Sequence, residues 1–99
     1  MVKAGVQAGR LSLDQVLTLV ANDKSEREIF CAPLQISMAE FYKAGEQGLK
    51  PEIKAAIDRE EYNGEQVMIF EGEKYAVLRS YERSDGLLEL TGTRKVGLR

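Results

Sequence analysis

Three turn signals, each ending in glycine, divide the second half of this 99-residue chain into short segments of strand character. They are Asn63-Gly64, Glu71-Gly72 and Ser84-Asp85-Gly86. Glycine and asparagine tolerate the positive φ angles that tight β-turns require, so these pairs are typical of hairpin connections. The segments between them are short and rich in apolar and β-branched residues, which indicates strands. The sequence therefore predicts an antiparallel meander in this half.

The predicted strands of this meander cover residues 52–61, 66–70, 74–82 and 87–92. The first segment is ambiguous, because its alanine, lysine and glutamate residues have good helix propensity. Ile53, Ala55 and Ile57 nevertheless alternate with polar residues, and a turn signal follows at once. We therefore predict a strand rather than a helix.

The first half of the chain predicts a further hairpin and then a short helix. Strands are expected over 15–21 and 28–36, on either side of the polar cluster 22–25. Pro33 should interrupt the second strand or place it at an edge, because proline lacks a backbone donor. Ser37-Met38-Ala39-Glu40 has the form of a capping box, so a helix of about two turns should begin at Met38.

Small domains with this many strands usually close them, since closure removes exposed edges. The predicted fold is mainly β: a small antiparallel β-barrel of about six strands with a C-terminal meander. One short α-helix is inserted between the second and third strands. We expect a single barrel domain over 11–93, with a flexible N-terminal arm over 1–10 and a C-terminal tail over 94–99.

Composition excludes most catalytic and metal-binding chemistry. The chain has no histidine and one cysteine, so histidine-based catalysis, histidine-ligated metals and thiolate zinc clusters are ruled out. Glu60 and Glu61 are neighbours that should point to opposite faces of a strand, and Cys31 should be buried in an apolar strand. We expect a non-enzymatic protein with no catalytic residues, no metal and no cofactor.

Net charge and hydropathy limit the classes of partner that this chain can bind. The net charge of −2 offers no broad cationic surface for phosphate backbones. No apolar stretch approaches the roughly 20 residues that span a bilayer, and the first ten residues lack a signal-peptide core. We therefore expect no membrane association and a cytoplasmic location.

Several short motifs occur along this chain. Each motif alone is weak evidence for a protein family, but their order as a set is specific. In chain order they are Ile36-Ser37, Met38-Ala39-Glu40-Phe41-Tyr42-Lys43-Ala44-Gly45, Gly48-Leu49-Lys50-Pro51, Glu61-Tyr62-Asn63-Gly64, Phe70-Glu71-Gly72-Glu73-Lys74-Tyr75, Arg79-Ser80-Tyr81 and Gly86-Leu87-Leu88-Glu89-Leu90. Across residues 13–93 this set resembles the head closure family of tailed bacteriophages, also called head-tail connector, adaptor or stopper proteins.

The resemblance implies a structural protein of the phage neck. Its copies would form a homo-oligomeric ring, possibly a dodecamer, below the portal and adaptor rings and above the tail terminator or tail proteins. The ring would retain packaged DNA, which passes through its channel without sequence-specific binding, and would provide the tail docking surface. The expected location is the host cytoplasm during assembly and then the virion neck.

Two groups of residues are candidates for contacts within such an assembly. A channel or ring-contact segment is formed by Ser37, Met38, Glu40, Phe41, Tyr42, Lys43, Gly45, Gly48, Lys50 and Pro51. A partner-contact tail is formed by Arg94, Lys95 and Arg99. The competing interpretation is structural: Met38, Phe41 and Tyr42 would cover the barrel's own core, and the glycines would be ordinary loop residues.

Two other functions stay open at this point. One is a tail terminator or another neck ring, which would differ in what it stacks upon. The other is a small barrel that binds a peptide or single-stranded nucleic acid through aromatic and basic residues. For the nucleic-acid role the chain offers Tyr75 and Tyr81 with Lys74, Arg79 and Arg83.

Overall fold

The computed structural model describes residues 7–8, 11–39 and 50–94, and the statements below concern these residues. The strands are β1 (Gln7–Ala8), β2 (Leu11–Ser12), β3 (Gln15–Val20), β4 (Glu26–Pro33), β5 (Ile53–Asp58), β6 (Val67–Phe70), β7 (Glu73–Glu82) and β8 (Leu87–Arg94). A 3-10 turn over Arg59–Glu61 follows β5.

Six of these strands close into an antiparallel barrel in the order β3-β4-β5-β8-β7-β6, and β6 pairs back onto β3. The predicted fold class, a mainly β chain with a small barrel, is confirmed. Strands β3, β5 and β7 run in one direction and the other three run in the opposite direction. We call the end where β3, β5 and β7 begin the lower end and the opposite end the upper end.

The ambiguous segment is a strand, as predicted, but its surroundings differ from the prediction. Strand β5 ends at Asp58, whose side chain accepts a hydrogen bond from the Glu60 N–H at 3.0 Å and begins the 3-10 turn. Glu60 and Glu61 therefore lie on this turn and not on a strand.

The hairpin predicted at Asn63-Gly64 is wrong. Strand β5 pairs with β4 and β8, whereas β6 pairs with β3 and β7. Residues 59–66 instead form a crossover between opposite walls of the barrel at its upper end. An Asn-Gly pair favours a tight turn of the local backbone but does not specify strand partners. The partners are set here by the pairing that closes the barrel.

The other two glycine turns are true hairpins. Glu71 and Gly72 have φ angles of 53° and 83°, so the turn between β6 and β7 has the positive φ angles of a type I′ turn. Gly86, with φ of 87°, ends the turn between β7 and β8, where the Arg83 N–H donates to the Leu87 carbonyl at 2.9 Å. The C-terminal meander therefore consists of β6, β7 and β8.

The helix predicted after β4 begins at the expected residue. Met38 and Ala39 are helical, where the capping box places the first helical residues. The rest of the predicted helix lies outside the described residues. Strand β4 ends at Pro33 and not at Ile36, so the strand is shorter than predicted and stops at the proline.

The predicted N-terminal arm contains one regular feature. Gln7–Ala8 pairs with Leu11–Ser12 as a two-stranded antiparallel ladder, which the irregular composition of 1–10 does not predict. The remainder of the arm lies outside the described residues.

The main core fills the barrel interior with side chains that alternate along every strand. Its buried members are Leu17, Leu19, Ile29, Cys31, Ala55, Ile57, Met68, Tyr75, Leu88 and Leu90. Alternate residues of each strand face inward, so the barrel is a packed core and not an open pore.

A second, smaller core lies outside the barrel wall. Ala32 and Ala56, a directly opposed pair on β4 and β5, are buried together with Leu13 and Leu87. Leu11 and Leu34 pack against this cluster. The chain that leads into β3 therefore covers part of the outer face of β4 and β5.

The inward position of Gly92 on β8 is set by close packing. A Cβ atom there would lie 2.6 Å from Met68 Cε, 2.9 Å from the Ala76 carbonyl oxygen and 3.2 Å from Tyr75 Cβ. The methionine can move, but the carbonyl is backbone, so the wall itself would have to shift.

We therefore expect Gly92→Ala to lower the free energy of unfolding by about 1–3 kcal/mol, as overpacking does in other cores. A Gly→Ala change without a clash would instead stabilise by about 0.4–1 kcal/mol through the unfolded state, so the sign is diagnostic. Urea unfolding measures it, with Thr93→Ala as the control at the neighbouring, outward position. A stabilised Gly92→Ala variant would contradict the packing described.

Candidate assembly surface

The described ends of the two candidate segments lie at the lower end of the barrel. The Leu34 N–H donates to the Lys54 carbonyl at 2.8 Å, and the Glu52 N–H donates to the Gly92 carbonyl at 2.8 Å, so both ends of the connection over 34–52 are fixed to the barrel. The Arg94 N–H donates to Glu52 Oε1 at 3.0 Å. Arg94, the last residue of β8, therefore lies beside the base of the connection.

The described members of the ring-contact segment are mostly at the surface. Ser37 and Lys50 are exposed, Met38 is 63% exposed, and Pro51 is buried. The competing interpretation, that Met38 covers the barrel's own core, is wrong for this residue, because its side chain is 63% exposed. The other predicted members, Glu40, Phe41, Tyr42, Lys43, Gly45 and Gly48, lie outside the described residues, as do Lys95 and Arg99 of the tail.

An exposed apolar pair on the outer wall was missed by the sequence analysis. Val16 on β3 and Phe30 on β4 are directly opposite each other and are 48% and 39% exposed. Their neighbours Leu17 and Ile29 point inward and are buried. The signal was present in the sequence, because in a strand that buries Leu17 and Leu19 the alternate residue Val16 must face outward.

Acidic residues surround this pair. Val16 borders a shallow groove that also includes Asp14 and Glu71. Phe30 borders another, which includes Glu28, Asp58 and Glu61. Neither groove is lined by a lysine or an arginine in the part of the chain that the structure describes. We call the surface formed by Val16, Phe30 and these five carboxylates the β3–β4 face.

The crossover at the upper end is held by a partly buried ionic cluster, in which Glu65 is the buried member. Arg27 donates from Nη1 to Glu61 Oε1 at 3.0 Å, and from Nη2 to Glu65 Oε2 at 2.7 Å and to the Glu61 carbonyl at 2.6 Å. Glu65 Oε1 accepts the Asn63 N–H at 2.9 Å, and the Tyr62 hydroxyl donates to the Glu65 carbonyl at 2.6 Å. These contacts fasten the crossover 59–66 to β4.

The protonation of Glu65 reflects this setting. Burial is the largest single effect and alone would raise the pKa of Glu65. The hydrogen bonds from Arg27 and from the Asn63 N–H together outweigh it and hold the pKa below its usual value. The carboxylate is therefore charged at neutral pH, and its charge is compensated by Arg27. A cluster satisfied in this way is a structural fastening and leaves no group poised for proton transfer.

Cys31 and the carboxylates show no arrangement for chemistry in the described chain. Cys31 is fully buried, as predicted, and burial, with a smaller contribution from the charge of Asp14, raises the pKa of its thiol to about 11. Among residues 7–8, 11–39 and 50–94 no group of three or more cysteine, aspartate or glutamate side chains is arranged to hold a metal ion.

The residues considered for nucleic-acid binding are only partly available. Tyr75 belongs to the barrel core, and Arg83 donates to Asp85 Oδ1 at 3.1 Å and to Glu89 Oε2 at 2.8 Å. Tyr81, at 63% exposed, and Arg79 remain at the surface of β7. One exposed tyrosine does not provide the run of stacking positions that such barrels use.

Comparison with family models, with curated proteins and with solved structures finds no match to this chain. No helix within the described ranges is long and apolar enough to cross a membrane.

The Arg27–Glu65 pair gives a test with a defined pH dependence. We expect Glu65→Gln to lower the free energy of unfolding at neutral pH by about 1–3 kcal/mol, the usual range for hydrogen bonds to charged groups. Since the folded pKa lies below the unfolded value of about 4.3, the contribution is complete above that pH and is lost as the pH falls through the folded pKa.

The measurement is the unfolding free energy of both proteins between neutral and strongly acidic pH. The difference between wild type and Glu65→Gln should shrink on acidification, while Glu60→Gln, an exposed change on the same crossover, should stay close to wild type throughout. A difference that is independent of pH would show that the charge of Glu65 does not stabilise the fold.

Proposed function

We propose that this chain is a ring-forming structural protein of a tailed-phage neck, of the head closure type. In this role it retains packaged DNA beneath the portal and adaptor rings and provides the surface on which the tail docks. The observation that supports the proposal best is the polarity of the barrel. Both ends of the connection 34–52 and Arg94, the last residue of β8, lie at the lower end, whereas the crossover at the upper end is fastened by the Arg27–Glu65 cluster.

Such polarity suits a protein that stacks between two different neighbours. The closed barrel lets its strands pair within one chain, so contacts between copies depend on side chains and on segments displayed from the rigid wall. Met38 is exposed at the start of the displayed connection, and Lys50 is exposed near its end.

The charge of the chain is compatible with a DNA channel. At a net charge of −2, a ring of these subunits would have few cations with which to hold phosphates, and a duplex would pass with little attraction. The same charge disfavours the alternative of an independent nucleic-acid binding module, as do the burial of Tyr75 and the ion pairs of Arg83. A tail terminator or another neck ring is the alternative within the same class.

The proposal predicts the effect of removing the coding sequence from the phage or prophage that carries it. Heads should package DNA but lose it, and unattached tails should accumulate, because the ring that seals the head and receives the tail is missing. Electron microscopy of lysates and DNase sensitivity of the packaged DNA measure both effects. Supply of the wild-type chain from a plasmid should restore joined, DNase-resistant particles.

The position of the protein separates the two neck roles. Tailless, DNA-filled heads should carry the chain, and isolated tails should not. Normal particles in its absence would contradict any neck role, and its presence only on tails would contradict the closure role.

A further inference from the structure

The β3–β4 face combines an exposed apolar pair with carboxylates that surround it. Val16 and Phe30 form a directly opposed apolar pair, and 48% and 39% of their surfaces are exposed. Aromatic and β-branched side chains in such a pair stabilise each other across the strands, but their outer surfaces remain unburied. An additional partner would remove this apolar area from water.

The charges around the pair restrict what that partner can be. Asp58 already accepts the Glu60 N–H, and Glu61 is bonded to Arg27. The other three carboxylates, Asp14, Glu28 and Glu71, have no hydrogen bond or ion pair within the described chain. The matching partner is a short segment with apolar side chains in its middle and cations at its edges, and no acidic residue.

The chain contains one such segment next to a described strand end. Residues 95–99 are Lys95, Val96, Gly97, Leu98 and Arg99, with two cations and no acid. In an extended conformation Val96 and Leu98 lie on one side, between the two charged ends. Arg94 itself already lies near Glu52 and Glu73, at 3.7 Å from each carboxylate. Lys95 and Arg99 are the two cations within residues 95–99.

The topology favours docking on a second copy. Strand β8 is three strands from β3 in both directions around the barrel, so residues 95–99 leave from the wall opposite the β3–β4 face. Within one chain they would have to cross the lower end and fold back over its rim. A contact between different surfaces on opposite sides of a subunit is heterologous, and repetition of it produces a ring or a filament.

We propose that residues 95–99 of one copy dock on the β3–β4 face of the next. Val96 and Leu98 cover Val16 and Phe30, while Lys95 and Arg99 pair with Asp14, Glu28 and Glu71. The proposal deepens the neck function and rests on it for the meaning of the ring, but the contact itself can be tested without any phage.

The experiment uses the chain shortened by residues 95–99 and a synthetic peptide of residues 94–99. The shortened chain keeps every described barrel strand. Titration of the peptide into the 15N-labelled protein should produce saturable NMR shifts at the amides of Val16, Phe30 and Glu28. Binding should weaken as salt is raised, because exposed charge pairs are screened.

Matched variants separate the two parts of the contact. Phe30→Ser in the protein and Leu98→Ser in the peptide should each weaken binding by about tenfold or more, as loss of a central apolar anchor does. A peptide with Lys95→Glu and Arg99→Glu should not bind. Tyr81→Ser, which removes a more exposed aromatic side chain from another wall, should leave the affinity unchanged.

Three results would overturn the proposal. One is the absence of shifts at millimolar peptide, and another is a set of shifts centred on a different wall. The third is a full-length chain whose β3–β4 face is covered by its own residues 95–99 at every concentration, which would place the contact within one copy. Peptide binding combined with normal particles after removal of the coding sequence would leave the docking correct and the neck function wrong.

Discussion

The rest of the structure depends on the pairing of β6 with β3, which closes the barrel. Strands β5 and β6 follow each other in sequence but stand on opposite walls, so the chain must cross the upper end before the meander can begin. Arg27 holds that crossover through Glu61 and Glu65, at a point where the Glu65 carboxylate is almost fully buried. Without closure, β3 and β6 would each present an unpaired edge.

Closure also determines where the chain can make contacts. The fastened crossover occupies the upper end, whereas both ends of the connection 34–52 and the end of β8 at Arg94 lie at the lower end. The second core around Leu13 and Ala56 covers one part of the outer wall, while Val16 and Phe30 are left uncovered next to it. An apolar pair of this kind, beside three carboxylates that have no ion pair among the described residues, is a surface suited to a cationic and apolar segment.

The sequence predicted much of the fold because its signals are local. Alternation identified β5 despite helix-forming residues, the glycines at 72 and 86 marked true hairpins, and the capping box marked the helical start at Met38. The neighbours of β6 were not predictable, because an Asn-Gly turn does not specify pairing between distant strands. Arg27 bonds to Glu61 and Glu65, which follow it in the sequence by 34 and 38 positions. The exposure of Phe30 depends on which part of the outer wall is covered by the chain before β3.

The central claim is that one copy contacts the next through residues 95–99 and the β3–β4 face. Cross-linking of lysine to carboxylate in an equal mixture of 14N and 15N protein, followed by mass spectrometry, tests it most directly. The account predicts mixed-isotope cross-links from Lys95 to Asp14, Glu28 or Glu71. Cross-links of Lys95 that are confined to a single isotope, or that join it to other walls of the barrel, would contradict it.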